Sequence, residues 1–450
     1  MVVQKFGGTS VADPDAIRRL IDIVRTARTR DGRGPVVVVS AMSGVTDALL
    51  QIAASAGSGK SQEALTCVEQ LRQRHLDAAL AIAGAPAGLN AQITGQFDEL
   101  AAVVRALAVL REVSPRTLDV IAAMGELVSS QVVTAALLQA GIPAAWVDAR
   151  RVIVTDDDHT RAVPRGRETN AAMRAGILPL LDAGHVPVLG GFVGATADGH
   201  TTTLGRGGSD YSGALVGAGV DAREIQIWTD VDGMLTADPR IVAAPRLVPA
   251  LSFEEAAELA YFGAKVLHPS TILPAVERNI PVRILNSRKA DGPGTLITAA
   301  GAPAESQLTA LACKRDVTVV DITSSRMLEA YGFLRQVFEV FEQFRTAVDV
   351  VTTSEVSVSV TVDDRRHLDS IVEALKAYAE VSVEPAMALL CAVGDRLQNE
   401  PGIAARVVAV LEEVPLRMIS QAASRRNITV VMRQADLPHA MERLHEEFFA

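Results

Sequence analysis

From about residue 308 onward the chain repeats itself at a spacing of 70 residues. Gly332 opens a helical pattern with apolar Phe333, Val337, Phe338, Val340 and Phe341; Gly402 opens another with Ile403, Val407, Val408, Val410 and Leu411. Val317, Val319 and Val320 stand opposite Met387, Leu389 and Leu390, while Ser354, Val358 and Val360 stand opposite Ser424, Ile428 and Val430. The apolar positions agree in register across three elements, with a helical period in one and a strand period in the others. Each copy reads strand, helix, strand, strand, helix, strand, the order of a ferredoxin-like unit. The tail is therefore expected to hold two small α+β domains, one over about 324–393 inserted within 308–323 plus 394–450.

The first three hundred residues have a different texture. Val2–Phe6 reads as a strand and Pro14–Arg30 as a helix capped by Asp13. Pro35–Ser40 reads as a buried strand, Val45–Ala54 as a helix, 61–112 as a helical hairpin and Arg116–Ala140 as another helix. Strands near Ala144–Val147, His185–Leu189 and Glu224–Trp228 alternate with helices near Ser209–Val216, Phe253–Gly263 and Ser270–Glu277. Strands that are continuously apolar, separated by helices, imply an α/β body with a mainly parallel sheet sandwiched by helices. This body is expected over 1–290, with the Gly-, Ala- and Pro-rich stretch 291–307 as a linker.

The chain has 450 residues, more than one ordinary core accommodates. Its 43 Lys+Arg against 53 Asp+Glu give a net charge of −10, which disfavours nucleic acid or an anionic membrane as main partner. Cys67, Cys313 and Cys391 have no pairing pattern and read as small hydrophobes in a reducing cytoplasm. The start MVVQKFGGTS has no basic segment leading into a long apolar run. Apolar stretches elsewhere are broken before the ~20 residues a membrane helix needs. A cytoplasmic protein is expected.

Chemistry concentrates in a few segments. Lys5-Phe-Gly-Gly-Thr-Ser10 lies where a strand ends and a helix begins. Small residues there let backbone N–H groups approach phosphate oxygens, and Lys5 adds a point charge. It is not a Walker loop, and alone it reads equally as a tight turn with a surface lysine. His200-Thr-Thr-Thr-Leu-Gly-Arg-Gly-Gly-Ser-Asp210 adds Gly205, Gly207 and Gly208 for anion contact, with Arg206 as a fork for a carboxylate. Ser209 suits a helix cap, and Asp210 in the first turn suits aligning a nucleophile or holding Lys5. Thr229 and Asp230, ending the strand before Val231-Asp-Gly233, suit either a ribose or adenine contact or an ordinary turn. Arg240 follows in Asp238-Pro-Arg, and Lys265 in Phe262-Gly-Ala-Lys-Val-Leu-His-Pro269 suits phosphate or helix carbonyls equally. Glu126 stands on an apolar helix face. Buried, it needs a cation, and a substrate ammonium is one candidate; a solvated position is the other reading.

Taken together KFGGTS, TTTLGRGGSD, WTDVDGMLTADPR and FGAKVLHP closely resemble the aspartate kinases of the amino-acid kinase superfamily, and the repeated tail resembles their paired ACT domains. The resemblance covers essentially the whole chain in order. RMLEAYGFLRQVF and VDVVTTSEVSVSV are most similar to the lysine-sensitive type, and with no dehydrogenase half after Ala450 the monofunctional form is expected. The resemblance implies phosphorylation of the β-carboxylate of L-aspartate by ATP with Mg²⁺. It assigns catalysis to Lys5, Asp210 and Arg206, and aspartate binding to Thr46, Glu126, Phe192, Arg206, Gly207, Gly208 and Ser209. Nucleotide binding falls to Lys5, Phe6, Gly7, Gly8, Thr229, Asp230, Leu235, Arg240, Lys265 and Val266, with no direct metal ligand identified. Leu235 is a departure, because the family often has tyrosine there.

The two tail copies differ in charge. Asp349 and Glu355 of the first fall opposite Ile419 and Arg425 of the second, so only the first offers carboxylates to an amino-acid effector. One pocket per chain is expected, from Met327, Phe333, Leu334, Val348, Asp349, Thr353, Ser354 and Glu355, shared across a homodimer built through the ACT domains. Lysine is the expected effector and threonine the alternative. Competing functions are a sibling kinase for glutamate, N-acetylglutamate or uridylate, and a silent amino-acid sensor on a kinase body.

Overall fold

The computed structural model describes residues 1–84, 86–263, 269–301, 308–327, 331–395, 397–421 and 424–449. The chain forms two compact units. Met1–Met234, Pro249–Phe253 and Val266–Gly301 make the first; Leu235–Val248, Glu254–Lys265 and Ala302–Ala450 make the second.

In the first unit, β1 (Val2–Phe6) is buried throughout and runs into a 3-10 turn at Gly8–Val11. α1 (Pro14–Asp31) begins where the Asp13 carboxylate accepts from the Ala16 N–H at 2.8 Å, and it ends at left-handed Gly32. β2 (Val36–Val39), α2 (Val45–Gly57), α3 (Ser61–Ala83), α4 (Ala87–Leu110) and α5 (Pro115–Gln139) follow. The chain continues through β3 (Ala144–Val147), β4 (Val154–Thr155), α6 (Gly166–Asp182), β5 (Val186–Gly190), β6 (Val193–Thr196), β7 (Thr201–Thr203), α7 (Gly208–Gly219), β8 (Glu224–Thr229) and β9 (Ala250–Ser252). After α8 (Phe253–Tyr261), nearly all in the second unit, come α9 (Leu273–Glu277), β10 (Val282–Asn286) and β11 (Thr295–Thr298).

Eight strands form one sheet in the order β3-β5-β2-β1-β8-β10-β11-β9. The first six are parallel, and β11 runs antiparallel to β10. Side chains alternate between faces. Phe6, Val37, Val39, Val188 and Trp228 face the core shared with α1 through α5. On the other face α7 lies so close that a Cβ at Gly213 would stand 3.1 Å from the Lys5 Cβ. This is the expected parallel sheet between helices. By length and composition α5 qualifies as a membrane span, contrary to the reading that no apolar stretch is long enough. In the fold, 89% of its apolar window is buried, as suits the central helix of a core.

The stretch 291–307, expected to be a linker, opens with a strand. Ile297 is fully buried, and β11 pairs with both β10 and β9. Its Pro-Gly is the turn of a hairpin: Gly294 has φ +63°, and a Cβ there would stand 2.1 Å from the Ile284 carbonyl oxygen.

In the second unit, β12 (Ala310–Thr323), α10 (Phe333–Gln343), β13 (Val351–Thr353), β14 (Ser357–Val362) and α11 (Leu368–Lys376) make the first copy. β15 (Glu380–Val393), α12 (Ile403–Val410), β16 (Leu416–Gln421), β17 (Asn427–Arg433) and α13 (Leu437–Phe449) make the second. All six strands are antiparallel, in the order β13-β14-β12-β15-β17-β16. The long strands β12 and β15, 14 residues each, are shared. Val320, Ile322 and Val381 pack with α10 and α11, whereas Leu311, Leu390 and Ala392 pack with α12 and α13. The lobes thus divide in the middle of both strands, not at 323/324 and 393/394. Ala237 and Val242, expected in the kinase body, join the second lobe's core. Leu311 N–H donates to the Thr236 carbonyl at 2.8 Å, and Thr236 Oγ1 lies 2.9 Å from His445 Nε2.

Candidate active site

Loops at the carboxyl ends of parallel strands are where open α/β sheets bind ligands. Here Lys5 stands near the end of β1, and Ser40 and Thr46 follow β2. Phe192 follows β5, and the turn from Gly205 to Asp210 leads from β7 into α7. With Glu126 from the middle of α5 they line a cavity of about 320 Å³. A second cavity of about 320 Å³ shares Ser40, Thr46, Glu126 and Ser209 with it and extends along Gly8, Thr9 and the turn from Ala41 to Asp47.

Backbone geometry sets the walls. Gly207, at φ +74°, is the N-cap of α7, so Ser209 lies inside the helix and is not the cap expected of it. A Cβ on Gly191 would stand 2.8 Å from the Ser209 Cα, which only glycine permits. Phe192 adopts φ +66°, rare for a bulky residue, and its N–H donates to Ser212 Oγ at 2.9 Å.

Charges converge in this cavity. Lys5 Nζ lies 2.7 Å from Asp210 Oδ1 as an ion pair, both side chains mostly buried. Glu126 is 3% exposed, and its Oε2 has no partner among the described residues. Burial pushes its pKa up to about 8, against the smaller opposing pull of backbone hydrogen bonds and of Lys5. Arg206 is exposed and makes no ion pair among the described residues. The cavity therefore offers an ion-paired cation, a guanidinium with no ion pair among the described residues and a buried acid.

Sequence reasoning missed Asp119, one of the residues that shape this site. Its carboxylate is fully buried, accepts from Thr203 Oγ1 at 2.5 Å and from the Thr160 N–H at 3.0 Å, and lies 2.6 Å from His159 Nδ1. It pins β7, which leads directly into the Gly205–Asp210 turn. The sequence carried only a weak signal, an acid on an otherwise apolar helix, as at Glu126.

Lys5, Thr46, Glu126, Phe192, Arg206, Gly207, Gly208, Ser209 and Asp210 all line the cavity. The expected nucleotide residues are drawn from both units. Phe6 is fully buried and stacked on Trp228, with 6.1 Å between ring centroids, and its carbonyl accepts from the Ser40 N–H at 3.0 Å. Gly7 N–H donates to the Trp228 carbonyl at 2.9 Å, and Gly8 lines the second cavity. Thr229 ends β8 with Asp230 exposed beside it. Leu235 and Arg240 belong to the second unit, where Leu235 pairs with Leu247 and Arg240 forks onto Asp238. Lys265 and Val266 lie outside the described residues.

Of the expected effector residues, Phe333 is buried in the first lobe's core. Leu334, Thr353, Ser354 and Glu355 are exposed, with Met327 and Val348 half-buried. Asp349, expected to be free for an effector, is paired with Lys314 at 2.9 Å and accepts from the Tyr261 hydroxyl at 2.9 Å.

Among protein families, residues 1–286 match the amino acid kinase family and residues 390–448 the ACT domain. Lysine-sensitive aspartokinase 3 of Escherichia coli K12 is 36% identical over 459 residues, spanning 100% of this chain and 99% of that protein. The crystal structure of E. coli aspartokinase III in complex with aspartate and ADP superposes with a TM-score of 0.85 at 35% identity, covering 100% of each chain. That of the same enzyme with lysine and aspartate has a TM-score of 0.84 at 35% identity, again covering 100% of each. The fold is that of an amino acid kinase followed along the chain by an ACT region. Within that class, the chain belongs to the aspartokinase family.

Proposed function

We propose that this chain transfers the γ-phosphoryl group of ATP to the β-carboxylate of L-aspartate, giving 4-phospho-L-aspartate and ADP. Glu126 carries the reading: a buried carboxylate with an unpartnered oxygen faces the same cavity as an uncommitted arginine and an ion-paired lysine. L-Aspartate complements this arrangement. Its ammonium meets Glu126, its α-carboxylate meets Arg206 beside Ser209 and Thr46, and its β-carboxylate turns toward Lys5. The relative crystallised with aspartate and ADP supports the same pairing of ligands.

Phosphoryl transfer asks chiefly for positioning and charge neutralisation. Lys5 neutralises charge on the migrating group, and Asp210 keeps that ammonium in place. Gly8 and the residues after it donate backbone N–H groups to phosphate oxygens, while Thr229 and Asp230 serve the nucleoside end. The nucleotide roles of Leu235, Arg240, Lys265 and Val266 rest on the family resemblance alone. A carboxylate is already anionic and needs no general base, so no histidine is required. Magnesium bound with ATP would supply further neutralisation, held by nucleotide oxygens and water with no protein ligand assigned to it.

The ACT pair is the regulatory part. Lysine is the effector this reading assigns to the first lobe, as the name of the E. coli relative suggests for that protein. A cytoplasmic homodimer built through the ACT domains completes the proposal. Incubating the protein with ATP, Mg²⁺, aspartate and hydroxylamine tests the chemistry: aspartyl hydroxamate should form and depend on each component. Product from glutamate or N-acetylglutamate but not aspartate would point to a sibling kinase, and no product at saturation to a sensor.

A further inference from the structure

On one face of the large sheet, next to α1, lies a cavity of about 690 Å³ that shares no lining residue with the catalytic one. Its floor is set by strand register. Gln4 of β1 pairs with Gln226 of β8, which pairs with Arg283 of β10; the next row is Phe6, Trp228 and Leu285. Lys5 follows Gln4, so it points to the opposite face. A polar row across the middle of a parallel sheet is unusual, because such faces are normally closed by apolar side chains.

This row is only partly satisfied. Gln4 Nε2 donates to Gln226 Oε1 at 3.0 Å, Gln226 Nε2 to Glu224 Oε1 at 2.8 Å, and Arg283 to Glu224 Oε2 at 3.3 Å. Arg283 Nη1 also donates to the Pro293 carbonyl at 3.4 Å. Gln4 Oε1, the Trp228 indole N–H and the Arg19 Nε are buried without a partner among the described residues. Gln4 is 1% exposed and Trp228 5%, so water outside does not serve them. Five arginines against three acids line the cavity, a local reversal of sign in a chain of net charge −10.

We propose that this cavity is a second small-molecule site, taking a small organic acid that also carries an N–H or O–H donor. The acid group accepts from Trp228 and Arg19, and the donor meets Gln4 Oε1. α-Amino acids and hydroxy acids share that chemistry, and the volume suits either.

Trp146 and Trp228 are the two tryptophans of the chain, so Trp146→Phe leaves Trp228 as the reporter. The full-length variant is titrated with each common α-amino acid and, separately, with citrate, following indole fluorescence. A saturable change is expected with at least one probe; which arm responds identifies the source. In the same background Arg19→Gln should raise the midpoint ~10-fold or more, and Glu126→Gln should leave it within ~2-fold. No saturable response up to ~20 mM, an unchanged midpoint in Arg19→Gln, or loss of the response in Glu126→Gln would each overturn the site. Should Trp146→Phe not fold, calorimetric titration of the unaltered chain and of Arg19→Gln reads the same difference.

Discussion

The ammonium of Lys314 sits 2.9 Å from Asp349 Oδ1, on the carboxylate that the first ACT lobe was expected to offer an effector. The same ammonium lies 3.0 Å from Asp363. Burial pulls the Lys314 pKa down, but hydrogen bonds and the charges of Asp349 and Asp363 outweigh it, and the net shift is upward. Lys314 is therefore charged at neutral pH. The other Asp349 oxygen is buried with no partner among the described residues.

An arriving ammonium would meet an acid already half-neutralised from within the chain. Lys314→Met is accordingly expected to lower the lysine concentration for half-inhibition by about 5- to 10-fold, an effect of ~1 kcal/mol after solvent screening. Glu355→Ala should keep turnover and weaken inhibition. Initial-rate titrations with lysine read both; parental curves would remove these residues from the effector site.

With Glu126 as the partner of the substrate ammonium, aspartate binding is expected to depend on pH. Its folded pKa of about 8 lies above the ordinary 4.5, so between these values the folded chain holds a proton that the unfolded chain lacks. Stability contributed by this group is therefore present below about 4.5 and declines as pH rises toward 8. A bound ammonium needs the ionised acid, so KM for aspartate should fall as pH approaches 8, by at most ~10-fold per unit. Glu126→Gln should flatten that profile, raise KM and resist heat better than the parent at pH 8. A KM profile of parental slope in the variant would contradict the assignment.

Asp119 holds the hairpin that delivers Arg206 and Asp210. Asp119→Ala strands several donors at once and should cost ~3–5 kcal/mol, read as a lower midpoint in urea. Asp119→Asn, keeping an acceptor, should recover part of it. Because the residue acts through β7, a KM for aspartate that rises more than kcat falls is the expected signature. Unchanged KM in a folded variant would confine Asp119 to stability.

His75, wholly buried on α3 against Phe97, has its pKa lowered to about 4 from 6.5 by burial. Between these values the unfolded chain binds a proton that the folded one does not. Stability thus rises from pH 4 to 6.5 and is lost as pH falls through that window, by at most ~3 kcal/mol. His75→Phe should show a shallower acid limb in urea melts across that range. Parallel limbs would mean the imidazole takes up its proton while folded.

Elements with a strong period were legible without coordinates: β1, β2, β5 and β8, the long helices α1 and α5, and both tail copies in register. The grouping of Lys5, Glu126, Arg206 and Asp210 comes from the family resemblance of the motifs that carry them, not from spacing. Short elements were not legible. β4 has two residues and β7 is three threonines, too brief for any period to declare itself. The Asp119 network joins α5 to a loop forty residues away, a pairing that spacing does not encode. The domain boundary was misplaced for a related reason: Ala237 and Val242 look like loop residues beside a nucleotide motif, and only tertiary burial assigns them to the second lobe.

Because β12 and β15 each supply half their length to one core and half to the other, the ACT pair has no internal seam. Losing either lobe would strip the other of part of two strands, so the pair is expected to unfold as one cooperative body.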